Sequence, residues 1–199
     1  MADFPLTYTN VAGASTTVTP SSVEVELNQR TVRTTSISGR QQVRSFGTSY
    51  YIVTINFPPL TQEDRSQVKA KLTALRGGVN TFTIATKNFT DKKGTSGVSE
   101  GIASSAAIGS TTITMDDSNE FKPGEYIKFS NHTKAYQVIS HSGATLTIEP
   151  PLQTAITGSH TVESGSNFTM TCRLADDNIS YTQGADGFSR IQFTAIEAV

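Results

Sequence analysis

Residues 57–78, FPPLTQEDRSQVKAKLTALRGG, form a bounded amphipathic segment in a chain that otherwise reads as short strands and turns. Pro58 and Pro59 break the preceding strand, and the Thr61 hydroxyl can accept from a free first-turn amide. Asp64 stands where a capping box carries Glu or Gln and places negative charge at the positive end of the dipole. Val68, Leu72 and Leu75 recur at i, i+4 and i+7 as one apolar stripe, with Gln67, Lys69 and Lys71 on the wet side. Gly77 supplies a left-handed stop. The pattern predicts one helix over about 61–76 with a narrow apolar face, suited to lying across a sheet.

The rest of the chain alternates with period 2. SSVEVELN (21–28) points Val23, Val25 and Leu27 inward and Glu24 and Glu26 outward. Strand character continues to a turn at Gly39, and TSYYIVTINF (48–57) is apolar on both faces, which predicts a strand covered on both sides. NTFTIAT (80–86) follows the helix, so the first part reads β-β-β-α-β. After a Gly/Ser-rich joint at 90–105 come TTITM, EYIKF, AYQVIS, ATLTIEPPL and HTVES, separated by turn signals. Short strands at that spacing predict a small closed barrel. FTMTCRL (168–174) and SRIQFTAIEAV (189–199) would make only a marginal hairpin alone, so they are expected to rejoin the first sheet. The organisation expected is therefore a core domain from 1–95 and 165–199, interrupted by an inserted barrel at 103–164. The opening MADFPLTYTNVAGASTTVTPSS is long before the first clear strand and reads as an arm that could reach a neighbour.

Composition narrows the function classes. With 36% hydrophobic residues and a net charge of −1, the chain gives no global electrostatic case for nucleic acid or membrane binding. No apolar run approaches the ~20 residues of a spanning helix, and the N-terminus has no signal-peptide pattern. One cysteine, Cys172, fits a reducing compartment and excludes an internal disulfide. His132, His141 and His160 are spaced by nine and nineteen residues, which matches no usual ligand pattern, so surface loop histidines are expected and no metal. Asp116–Asp117 and Asp176–Asp177 read as turn chemistry, because adjacent strand positions face opposite ways. No nucleophile elbow, dinucleotide fingerprint or phosphate loop occurs, so neither an enzyme nor a cofactor is expected. Asn88, Asn131 and Asn167 begin glycosylation triplets that read as chance matches in a Thr-rich chain.

One local feature stands apart. Between Glu26 and Glu63 there is no acidic residue, while Arg30, Arg33, Arg40 and Arg44 all occur. Such a run is compatible with a solvated strand face, with a contact to the acidic surface of a neighbouring subunit, or with nucleic acid. The aromatic interleaving of a stacking surface for nucleic acid is weak there.

The run SISGRQQVRSFGTSYYIVTINFPPLTQEDRSQVKAKLTALRGGVNTFTI, followed by FTMTCRLADD and FSRIQFTAIEAV, resembles tail proteins of bacteriophages, in particular the distal tail protein group. The shared pattern is S-x-S-G-R-x-Q, an aromatic-rich strand, a P-L-T-x-E-D helix start, an L-R-G helix end and a terminal strand near IEAV, over about 21–86 and 168–199. The resemblance implies a mainly β, tail-tube-like β-sandwich or split barrel flanked by one helix, with an OB-like small barrel inserted. It also implies a homo-oligomer, a ring of six at the distal end of the tube. That ring would contact the tail tube protein, the baseplate hub and the fibre or adhesin proteins, and surround the channel through which DNA passes in the virion. Two other readings stay open: a carbohydrate-binding module stacking sugars on Phe121, Tyr126, Phe129 and Tyr136 of the inserted barrel, and a baseplate or tube-terminating protein of a contractile tail.

Overall fold

A computed structural model describes residues 3–85, 89, 99–116, 121–184 and 187–199. The chain is mainly β. A small hairpin, β1 (Leu6–Thr9) and β2 (Ser15–Val18), precedes two long strands, β3 (Ser22–Thr35) and β4 (Gln41–Asn56), then helix α1 (Gln62–Ala74) and β5 (Phe82–Ile84). Six strands follow: β6 (Ser99–Gly101), β7 (Thr112–Thr114), β8 (Tyr126–Phe129), β9 (Ala135–Ser142), β10 (Thr145–Glu149) and β11 (Thr161–Glu163). The chain ends in β12 (Met170–Leu174), β13 (Tyr181–Gln183) and β14 (Ser189–Glu197).

The helix forms as its caps dictate. Thr61 is the N-cap and its Oγ1 accepts from the Asp64 amide at 3.3 Å, while its hydroxyl donates to Asp64 Oδ2 at 2.6 Å. The aspartate thus completes the cap through the hydroxyl instead of reaching back as a glutamate would. Left-handed backbone begins one residue earlier than expected, at Arg76 (φ 51°), and continues at Gly77 (φ 65°). A side chain at Gly77 would meet Asp177 Oδ1, which also accepts from the Gly78 amide at 3.4 Å. Val68, Leu72 and Leu75 are buried, as the apolar stripe requires, in one core with Phe4, Phe57, Phe82 and Phe193.

That core lies between α1 and one face of a sheet ordered β3-β4-β14-β12-β5, with β13 added along β14. Inward positions of the central strands (Tyr51, Val53, Ile55, Ile191, Phe193 and Ala195) are buried. Among the described residues the opposite face is less covered. Tyr50, Ile52 and Thr54 of β4 are only half-buried there, so β4 is covered on one side and not on both. Across this face Glu26 pairs in register with Ile52 and Ile52 with Ile196, while Glu24 aligns with Thr54 and Thr194. The N-terminal segment does not extend outward as an arm. Phe4 and Val18 are buried in the core, and Tyr8 and Val11 donate to Asp64 and Glu63 of α1 at 2.7 Å each.

Strands β6 to β11 form a second sheet, ordered β6-β11-β8-β9-β10-β7 and closed into a barrel by the Ile102–Met115 bridge. Its interior holds Ile113, Phe121, Ile127, Phe129, Tyr136, Leu146, Ile148 and Val162. The barrel sits against the first sheet through Lys134 and Glu197, an ion pair whose two side chains are fully buried. Glu197 also accepts from the Ala135 amide at 2.6 Å and the Tyr51 amide at 3.2 Å. The Lys134 ammonium lies 5.1 Å from the Tyr51 ring centroid, and Tyr51 meets Tyr126 of the barrel edge to face at 5.7 Å. Burial lowers the Lys134 pKa, against the opposing pull of Glu197.

Removing one member leaves the other charged and uncompensated in the interior, so Lys134→Met is expected to cost about 3–5 kcal/mol of unfolding free energy. Adding Glu197→Gln to Lys134→Met removes the stranded charge and keeps an acceptor for one amide, so the double variant should recover part of that loss. Urea denaturation of the two variants beside the parent measures both effects.

Candidate functional site

The β3–β4 hairpin outruns the sheet it belongs to. β14 pairs with β4 only from Ile52 to Asn56, whereas β3 and β4 stay paired to Thr35 and Gln41. Every residue described from Gln29 to Gly47 is exposed. The result is a two-stranded arm with no core of its own, closed by the turn at Ser36–Arg40, where Gly39 takes φ 79°. The register shifts between Gln29 and Thr31, where Arg30 stands opposite the stretch between Ser45 and Ser49. Gly47 lies in that stretch with φ 69°, a backbone region that glycine enters without steric cost. A bulge of this kind adds local twist and bends a ribbon, here where the arm leaves the body.

Arg30, Arg33, Arg40 and Arg44 all lie on this arm or at its turn, and among the described residues none makes an ion pair. The structure also places apolar side chains among them that the charge pattern did not single out. Val32 is 44% exposed, Val43 60%, Phe46 59% and Ile37, at the turn, is fully exposed. Cross-strand pairs Val32–Arg44 and Arg33–Val43 put one valine and one arginine on each face of the ribbon. The sequence signal for this was present: through TVRTT and QQVRS, neither alternating set is consistently apolar, so neither face could belong to a core. The arm carries +4, and the chain's net −1 leaves −5 for everything else.

At the root of the arm the barrel makes contact. Gln29 Nε2 donates to Glu149 Oε1 at 3.3 Å, and Gln153 Nε2 to the Ser49 carbonyl at 3.5 Å. β3 is the terminal strand of its sheet, and its inward side chains Val25 and Leu27 pack on the core yet stay half-buried.

The four barrel aromatics considered for sugar stacking have other surroundings. Phe121, Phe129 and Tyr136 are buried in the barrel interior, and Tyr126 is half-buried against Tyr51, Phe89 and Phe168. Phe129 and Tyr136 take inward alternates of β8 and β9, Phe121 joins the same interior just before β8, and Tyr126 takes an outward alternate that packs on the core of the first sheet.

The histidines are not grouped with further ligands: among the described residues no cluster of three His, Cys, Asp or Glu side chains can hold a metal ion. His132 is not a free loop residue. Its ring stacks on Phe129 at 5.6 Å, its Nδ1 meets Asn131 Oδ1 at 2.8 Å and its Nε2 meets the Tyr136 hydroxyl at 2.9 Å. The Asn131 oxygen can only accept, so Nδ1 carries the proton, and in the neutral ring Nε2 accepts from the Tyr136 hydroxyl, whose oxygen also accepts from the Gln153 amide at 3.1 Å. Two surface clefts flank the β13–β14 hairpin, of about 280 and 310 Å³, lined by polar side chains such as Asp176, Asn178, Ser180 and Gln192. Neither contains a catalytic pair. Among the described residues no helix is long and apolar enough to cross a membrane. No protein-family model matches the chain, and no curated protein is significantly similar to it in sequence.

Burial, with repulsion from His160 and Lys134, depresses His132 from 6.5 to about 4. The folded state therefore resists a proton that the unfolded chain takes up freely. The stabilisation is fully present above pH 6.5 and is lost as the pH falls toward 4. His132→Gln, which keeps a polar side chain without the titration, should show a smaller fall in urea midpoint than the parent over that interval.

Proposed function

We propose that this chain is a structural subunit of a bacteriophage tail, without enzymatic activity. In this reading it forms a ring at the distal end of the tail tube, joins the tube to the hub and adhesin machinery, and encloses the path of the DNA. The observation that carries the reading is a sheet covered by one helix on a single face and extended by an arm that buries nothing in its own chain. A lone subunit with these surfaces leaves apolar and arginine side chains unused, as expected where burial is completed by neighbours. The sheet-and-helix body fits a tail-tube-like core, and the closed barrel of residues 99–163 fits a small OB-like insertion. The P-L-T-x-E-D and L-R-G signatures support the same assignment, since they coincide with the two caps of α1.

Size-exclusion chromatography with light scattering, over a range of concentrations and with negative-stain images of the main peak, tests the reading. Six copies of the 21.3 kDa chain give about 128 kDa and a particle with a central hole. A mass that stays at 21.3 kDa at every concentration overturns self-assembly of the isolated subunit.

A further inference from the structure

Among the described residues two strand edges are open at once, and their side chains match. On β4, pairing with β14 stops at Ile52, so from Gln41 toward Tyr51 the side of the strand opposite β3 pairs with no described strand. On β3, the stretch Glu24–Asn28 forms the outer border of the sheet. We propose that these two edges pair between copies: the β4 side of the arm of one copy adds as an extra strand along Glu24–Asn28 of the next. The proposal rests on the assembly reading above and names the surface by which its subunits join.

Exposed strand edges are avoided in proteins that stay single, because unpaired amides and carbonyls template strand addition. Side-chain alternation then selects the register. On the β3 border, Val25 and Leu27 point to the core and are half-buried, while Glu24 and Glu26 point to the open face. On the arm, Val43 lies on one face and Gln42 and Arg44 on the other. A register that sets Val43 beside Val25 and Leu27 covers their exposed flank and brings Arg44 to the side of Glu24 and Glu26. Arg40, at the turn, has the same parity as Arg44. A slip of one residue would place arginine against the apolar row and valine against the carboxylates, so the pairing is specified. Charge argues for a second copy as occupant, since the arm is +4 and the remainder of the chain −5. The contact is heterologous, with arm to edge and never arm to arm, which is the kind that generates rings.

The test is a charge exchange in the full chain. Arg40→Glu with Arg44→Glu makes one variant, and Glu24→Arg with Glu26→Arg the other. All four side chains are exposed, so circular dichroism and thermal melting should match the parent. Each variant alone should need a concentration about a hundredfold higher to assemble, because like charges then face each other across the contact. An equimolar mixture should restore assembly, each arm again meeting an edge of opposite sign. If both variants assemble like the parent, or the mixture stays dissociated, the pairing is overturned, and a ring that persists leaves the structural function standing. If the arginine variant loses only retention of a labelled DNA duplex, with assembly intact, the arm serves nucleic acid and the pairing is again overturned. A parent chain that never associates removes the ring and the pairing together.

Discussion

The Glu197 carboxylate is where the two sheets become one body. It lies at the end of β14 and accepts from the Tyr51 amide of β4 and the Ala135 amide of β9, while pairing with the Lys134 ammonium. Three remote stretches of chain thus converge on two oxygen atoms. Burying such a pair costs several kcal/mol per ion, and the attraction between partners repays it only when the remaining hydrogen-bonding capacity is satisfied. Here both amides and the Tyr51 ring help to meet that condition. The pair therefore contributes more to how the barrel sits on the sheet than to net stability. An apolar contact of the same area would allow sliding, whereas this one is satisfied in a single arrangement.

The arm depends on that arrangement. A hairpin exposed on both faces gains cross-strand hydrogen bonds but little burial, and alone it would be marginal in water. Its order comes from being the continuation of β3 and β4, whose other halves are held by the core. The barrel steadies the root through Glu149 and Gln153, just before the bulge at Arg30 and Gly47. Beyond that point the chain displays Val32, Val43 and Phe46 to solvent. Fully burying side chains of this kind stabilises a contact by roughly 1.5–3 kcal/mol each. With Ile37 at the turn, four large apolar side chains thus stand exposed on one projecting element.

The closed barrel contrasts with the arm. Its aromatics are spent on its own interior, and His132 is locked to Tyr136 and Asn131 with its proton assigned. A loop histidine beside turn residues gives no hint in sequence of the phenylalanine it stacks on or the tyrosine that donates to it, since those partners are set by barrel closure. The arginine run was visible from the absence of acids between Glu26 and Glu63. Its significance was not, because the residue pattern marks β3 and β4 as strands but does not say where a neighbouring strand stops. The apolar pattern of TSYYIVTINF suggested cover on both sides, yet among the described residues β4 has a helix-backed core on one face and a half-buried surface on the other. Tyr50 and Ile52 stay half-buried on that face.

The sequence by itself determined what is local. Thr61 and Asp64 start the helix and Gly77 allows it to end, because capping and left-handed backbone are decided within a few residues. Alternation marked which side chains of β3, β12 and β14 point inward, because the period of a strand is two whatever it packs against. Only the tertiary structure decided which strands lie at a border, how far β14 covers β4, and that Lys134 and Glu197, 63 residues apart, share one buried site. Those outcomes are set by contacts between segments remote in the chain. Their cost and gain appear only when the segments meet, so no window of sequence records them.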